Sequence, residues 1–221
     1  RKSLRDNLLI LIEVSIMESM KKWIGVSVLV VLWGIVCTKT YVGGSYLLGW
    51  DNLVPEFGFQ ININRALSTT WQEYQGIGLL GGMGHAADLT RQILLWGMSG
   101  VVPTNMLRWG WTLGMLLLGP LGIYALGKKF FRLDLAALVG AVFYLLNPVT
   151  VQVFNVPFET FVSFYGFVPW MLWGALTYLR DGRRASLIKL FLILLLGMSA
   201  FVVQTMFIVL LIMIGIFSLE H

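Results

Sequence analysis

Residues 23–48, 105–126 and 187–217 each form an apolar run long enough to cross a lipid bilayer, and no other feature limits the fold of this chain so tightly. About 20 apolar residues in helical conformation span a ~30 Å hydrocarbon core. Within that core each backbone N–H and C=O must be paired inside the segment, and a helix does this. The expected fold class is therefore an all-α polytopic membrane protein. Composition agrees. Of 221 residues, 57% are hydrophobic and only 12% charged, with a mean hydropathy of +0.80. Soluble domains carry about 25% charged residues.

The net charge of +5 does not point to nucleic acid. The basic residues stand beside the apolar runs, where orientation in the bilayer and anionic headgroups account for them. Cys37 lies inside an apolar run and reads as a small packing residue, with no second cysteine to pair with. Leu219, Glu220 and His221 look like the start of an appended histidine tag and are left out of functional reasoning.

Residues 1–22 do not form a span. Leu8, Leu9, Ile12, Ile16 and Met20 recur at helical spacing, with basic residues at both ends. This pattern fits a cytoplasmic interfacial helix, or simply a polar lead-in to the first span. The membrane module is expected over residues 23–218. Two of its segments are ambiguous: residues 135–146, which stop at Asn147–Pro148, and residues 161–179, which contain Pro169. Charge resolves the parity. Arg1, Lys2, Arg5, Lys21 and Lys22 form one basic cluster, Lys128, Lys129 and Arg132 a second, and Arg180, Arg183, Arg184 and Lys189 a third. The positive-inside rule puts all three in the cytoplasm. An even number of crossings then separates Lys129 from Arg180, as two spans or as a re-entrant pair. Two spans are favoured, which gives five in total and an inside N-terminus.

Residues 49–103 then form an outer loop. A structureless loop of that length would be unusual. Phe59, Ile61, Ile63, Leu67 and Trp71 alternate with polar residues, and Leu89, Ile93, Leu94 and Met98 recur at steps of one to five. Two short amphipathic juxtamembrane helices are expected, joined by Gly76, Gly78, Gly81, Gly82 and Gly84, which allow close approach or positive φ. No strand precedes these glycines, so a dinucleotide fold is not indicated.

One span, an acid just beyond it, two surface helices and a return span: this order resembles the GT-C membrane glycosyltransferases. The nearer likeness is to the arabinofuranosyltransferase-like and YfhO-like proteins. "GWDN" at 49–52, "RALSTTWQEYQGIG" at 65–78, "LTRQILLW" at 89–96, "LLLGPLGIYAL" at 116–126 and "FYLLNPVTVQVF" at 143–154 carry it. The resemblance implies a transferase of the cell envelope in a bacterial-type plasma membrane. Such enzymes take sugar from a polyprenyl phosphate and pass it to a glycan or lipid acceptor. Members of the family are usually longer, so the chain is expected to be the N-terminal module of such an enzyme.

Displacement at an anomeric carbon needs a carboxylate to take the acceptor's proton and donors to stabilise charge growing on the phosphate. Asp51 holds the position where the family places its base, and Glu56 is the second candidate. Arg65, Arg91 and Arg108 are candidates for phosphate, since guanidinium matches phosphate oxygens bidentately. Each could equally be an arginine snorkelling to headgroups. Trp71, Tyr74 and Gln75 suit sugar stacking and hydrogen bonding, or plain interfacial anchoring. Glu73, His85, Asp88 and Glu159 complete the substrate-binding set. Asp51 also suits a turn before Pro55, and His85 a structural donor in a glycine-rich loop. No Asp-x-Asp and no ligand spacing point to a metal site; no cofactor is required, and a divalent metal stays open. The expected partners are membrane lipid, a polyprenyl-phosphate sugar and a glycan acceptor, with no nucleic acid. Two further function classes compete: a transporter or channel fragment, and a non-catalytic assembly subunit. No expected span carries an acid in its middle, which disfavours conduction.

Overall fold

The computed structural model describes residues 23–49, 54–68, 83–130 and 134–219. The expected interfacial helix of residues 1–22, the glycine joint up to Gly82, and Glu220 and His221 lie outside them. Every regular element among the described residues is helical. In chain order these are α1 (Trp23–Thr40) and a 3-10 turn (Pro55–Phe57), then α2 (Phe59–Leu67), α3 (Met83–Met98), α4 (Thr104–Phe130), α5 (Asp134–Leu146), α6 (Pro148–Asn155), α7 (Glu159–Asp181) and α8 (Arg184–Leu196). A 3-10 segment (Met198–Val202) and α9 (Gln204–Leu219) complete the chain. α1 and Thr104–Lys129 of α4 are each long and apolar enough to cross a membrane, and α5 with α6, bent by 41°, qualifies as a third.

The side-chain distribution is that of a protein whose solvent is lipid. Val31 on α1, Val139 and Phe143 on α5, Ile188 on α8 and Ile212 on α9 all face outward. Thr112, Ser163, Arg91 and Gln92 are buried. In hydrocarbon, apolar burial gives no driving force between helices, so close packing and hydrogen bonds must hold them. α4 and α7 show both. Cβ atoms on Gly119 and Gly122 would lie 2.7 Å from the Tyr165 ring and 2.8 Å from Pro169, so only glycine admits α7 at this distance. Trp111 Nε1 donates to Ser163 Oγ at 3.2 Å, and Trp170 Nε1 donates to the Leu118 carbonyl at 2.9 Å.

These pairs also fix direction. Arg108 meets Glu159, Trp111 meets Ser163, Leu118 meets Trp170 and Lys129 meets Thr177. Both helices advance together, so α4 and α7 run parallel. The chain must therefore return along the whole of α4 between them, and α5–α6 makes that return. The expected stop at Asn147–Pro148 is a bend instead. Asn147 caps α6, accepting from Thr150 N at 3.0 Å, while its amide donates to the Tyr144 carbonyl, which Pro148 cannot serve, and shares the Phe143 carbonyl with its own backbone N–H. Pro148 sits at the first helical position, where its missing N–H costs nothing. Tyr144 and Tyr165 stack at 4.3 Å, and each hydroxyl donates to the other's backbone carbonyl, at 3.0 and 2.9 Å. The bend is thereby pinned to α7.

Two expected boundaries shift. α1 ends at Thr40, not at residue 48. The Thr38 and Thr40 hydroxyls bond back to the Ile35 and Val36 carbonyls, and Gly44 follows at φ 74°. The final apolar run is also not one helix. It breaks at Gly197, which packs directly on Phe167 and Met171, and continues as a 3-10 segment before α9. The two helices expected in the outer loop are present as α2 and α3, and they pack on each other.

Candidate functional site

At the end of the α4–α7 pair where both helices begin, five ionisable side chains meet in the protein interior. α3 contributes Asp88, Arg91 and Gln92, whose spacing puts them on one helix face. The 3-10 turn contributes Glu56, α4 contributes Arg108 and α7 contributes Glu159 from its first turn.

Arg91 lies at the centre and is 1% exposed. It grips Asp88 with two bonds, Nε to Oδ1 at 2.6 Å and Nη2 to Oδ2 at 2.7 Å, and Nη2 also reaches Glu159 Oε2 at 2.7 Å. Gln92 Nε2 donates to Asp88 Oδ2 at 3.0 Å. Arg108 extends the network. Its Nε stands 3.0 Å from Glu56 Oε1, and its Nη2 stands 3.3 Å from Glu56 Oε2 and 3.1 Å from Glu159 Oε1. Its Nη1 donates to the Leu47 carbonyl at 3.2 Å. The neighbouring Trp109 donates to the Ser45 carbonyl at 3.2 Å and meets Tyr41 edge-on. Chain leaving α1 is thus tied to the start of α4.

Three carboxylates face two guanidiniums, so the network carries one excess negative charge when all are ionised. Burial pushes the Glu56 carboxyl up, against the pull of Arg108. Burial also works against the Arg91 charge, but Glu159 and Asp88 more than offset it and hold its pKa above the usual guanidinium value. Single ions removed from water cost several kcal/mol each, and such a group persists only when its charges and hydrogen bonds are matched.

No family model, curated protein or solved structure matches this chain. What the arrangement can do therefore rests on its own geometry. Of the residues singled out in the sequence, Glu56, Asp88, Arg91, Arg108 and Glu159 come together. Both arginines turn their forks toward carboxylates, so a phosphate at either would have to displace one. Arg65 sits half-buried in the last turn of α2, and His85 lies in the first turn of α3. Asp51, Trp71, Glu73, Tyr74 and Gln75 lie outside the described residues. Among the described residues, no group of three or more His, Cys, Asp or Glu is placed to hold a metal.

Gln92 and the Leu47 carbonyl were not legible as members of this site. Gln92 could have been found from its i+4 spacing to Asp88; the carbonyl has no sequence signal. Beside the network, a cavity of about 160 Å³ opens between α1, α4 and α5–α6. Its walls are apolar, with Thr40, Thr112, Thr150 and Asn155 as the polar groups and Trp109 shared with the site.

Proposed function

We propose that this chain is the N-terminal module of a GT-C-like glycosyltransferase of a bacterial-type plasma membrane. In this reading α1, α4, α5–α6, α7 and the α8–α9 segment are five spans, the N-terminus is cytoplasmic, and α2 and α3 lie along the outer membrane surface. The observation that supports it most is the organisation of the outer loop. α2 and α3 pack on each other there, and carboxylates and arginines tie α3 and the 3-10 turn before α2 to the starts of α4 and α7. The apolar side chains Ile93, Leu94 and Trp96 of α3 point away from that network, as a helix resting on lipid requires.

The reaction is displacement at the anomeric carbon of a polyprenyl-phosphate sugar. The acceptor oxygen forms the new glycosidic bond, the bond to the phosphate oxygen breaks, and the lipid phosphate leaves. Asp51 takes the acceptor proton. In the intact enzyme Asp51→Asn keeps size but cannot take a proton, so transfer falls about 10²–10⁴-fold while donor binding holds. A well-folded Asp51→Asn enzyme transferring at the normal rate would move the base to Glu56.

A second reading, a non-catalytic assembly subunit, is favoured by one observation. Asp88, Glu56 and Glu159 all engage guanidinium groups, which describes a structural clamp as well as a reactive centre. Absence of transfer by the wild-type parent with any polyprenyl-phosphate donor would select it.

A further inference from the structure

At the opposite end of the bundle, where α4 and α7 finish and α8 begins, we infer that the protein carries a binding surface for the headgroups of anionic phospholipids. Six basic side chains from three helices gather there: Lys128 and Lys129 of α4, Arg180 of α7, and Arg183, Arg184 and Lys189 of the α7–α8 turn and α8. Lys129 ties the elements together. It donates to the Thr177 hydroxyl, lies 4.6 Å from the centre of the Trp173 ring, and shares its electrostatic surroundings with Arg180, Asp181 and Lys189.

Among the described residues, the acids at this end do not balance them. Asp134 sits 3.1 Å from Lys128. Asp181 is occupied with the turn itself, accepting from Arg183 N at 3.0 Å and from the Ser186 hydroxyl at 2.7 Å. Among the described residues at this end, six bases against two acids leave a surplus of four positive charges. Arg180, Arg183, Arg184 and Lys189 are all exposed.

The neighbours of these charges select a phospholipid over a soluble polyanion. Leu179 on α7 and Leu187, Ile188 and Phe191 on α8 are exposed apolar side chains within a few residues of the arginines. Tyr124 lies beside Lys128, 5.5 Å from its ammonium to the ring centre. Cations flanking an exposed apolar belt match the order in which a phospholipid presents its phosphate and its chains. A nucleic acid would leave the apolar belt uncovered. This inference does not depend on the transfer reaction proposed above, only on the chain residing in a membrane.

The test is native mass spectrometry of the detergent-solubilised protein with equimolar phosphatidylglycerol and phosphatidylcholine. Phosphatidylglycerol should be retained preferentially. Arg184→Gln and Lys189→Gln, both at exposed positions that leave the packing intact, should each lower that preference about five-fold, equivalent to ~1 kcal/mol per basic side chain. Lys39→Gln, which removes the same charge at the far end of α1, should leave it unchanged. Equal retention of the two lipids would overturn the inference. So would a loss with Lys39→Gln as large as with the other two, or displacement of phosphatidylglycerol by an equal concentration of inorganic phosphate.

Discussion

Glu159 joins two arginines that arrive from different helices: its Oε2 lies 2.7 Å from Arg91 Nη2 and its Oε1 3.1 Å from Arg108 Nη2. Among the described residues, it is the one carboxylate in the network that touches both. Glu159→Ala would leave two buried guanidiniums facing each other with one carboxylate apiece. Breaking a buried ion pair typically costs about 3–5 kcal/mol. Thermal unfolding in detergent should show a loss of that order, with α3 the first element to gain protease sensitivity. An unchanged melting curve would mean that the network is not closed in the membrane-extracted protein.

Glu56 should behave differently from Glu159. Its folded-state pKa is raised, so the folded protein binds a proton that the unfolded chain has already released. Stability therefore falls as pH rises from the ordinary glutamate value through the raised one. Glu56→Gln mimics the protonated form and balances the two arginines against two acids. It should flatten the pH dependence of unfolding across that window and cost less stability at neutral pH than Glu159→Ala. A pH profile identical to wild type would show that Glu56 does not hold the proton.

Gly119→Ala should be destabilising although alanine is the better helix former. The new methyl would meet the Tyr144 and Tyr165 rings and, at 2.8 Å, the Tyr165 carbonyl oxygen, which belongs to backbone and cannot rotate away. Overpacking of this kind costs about 1–3 kcal/mol. Gly110→Ala, on the same helix with open space around its Cβ, is the internal control and should be neutral or slightly stabilising. Equal effects at the two sites would mean that α4 and α7 are not in close contact there.

Five spans with a cytoplasmic N-terminus predict a labelling pattern. In a Cys37→Ala background, cysteine at Ser68 should react with an impermeant thiol reagent in intact cells, and cysteine at Ala185 only after permeabilisation. Both positions are exposed. Ser186 is a poor probe because its hydroxyl is buried against Asp181. Labelling at Ala185 from outside would overturn the parity that places Lys129 and Arg180 on one side.

The sequence by itself determined the helical class and the long apolar segments. It also placed two helices between the first two apolar segments, because periodicity and span length are local properties that lipid as solvent makes strict. It named Glu56, Asp88, Arg91, Arg108 and Glu159 from their chemistry and from their place in the loops and helices between the spans. It could not say that they touch. Arg91 reads as a snorkelling or phosphate-binding side chain until Glu159 is brought to it across much of the chain. Nor could it read Asn147–Pro148 as a bend rather than a stop, since the Tyr144 carbonyl that Pro148 leaves without a backbone donor is satisfied by the Asn147 side chain and the bend is held by Tyr165 of another helix. The parallel course of α4 and α7 was implicit in placing Lys129 and Arg180 on one side of the membrane, but their close approach belongs to tertiary structure alone. It rests on glycines that look unremarkable in sequence and matter only because a second helix lies against them. Local spacing fixes which face of a helix is polar; only the packing of distant segments decides whether that face meets lipid, water or an opposite charge.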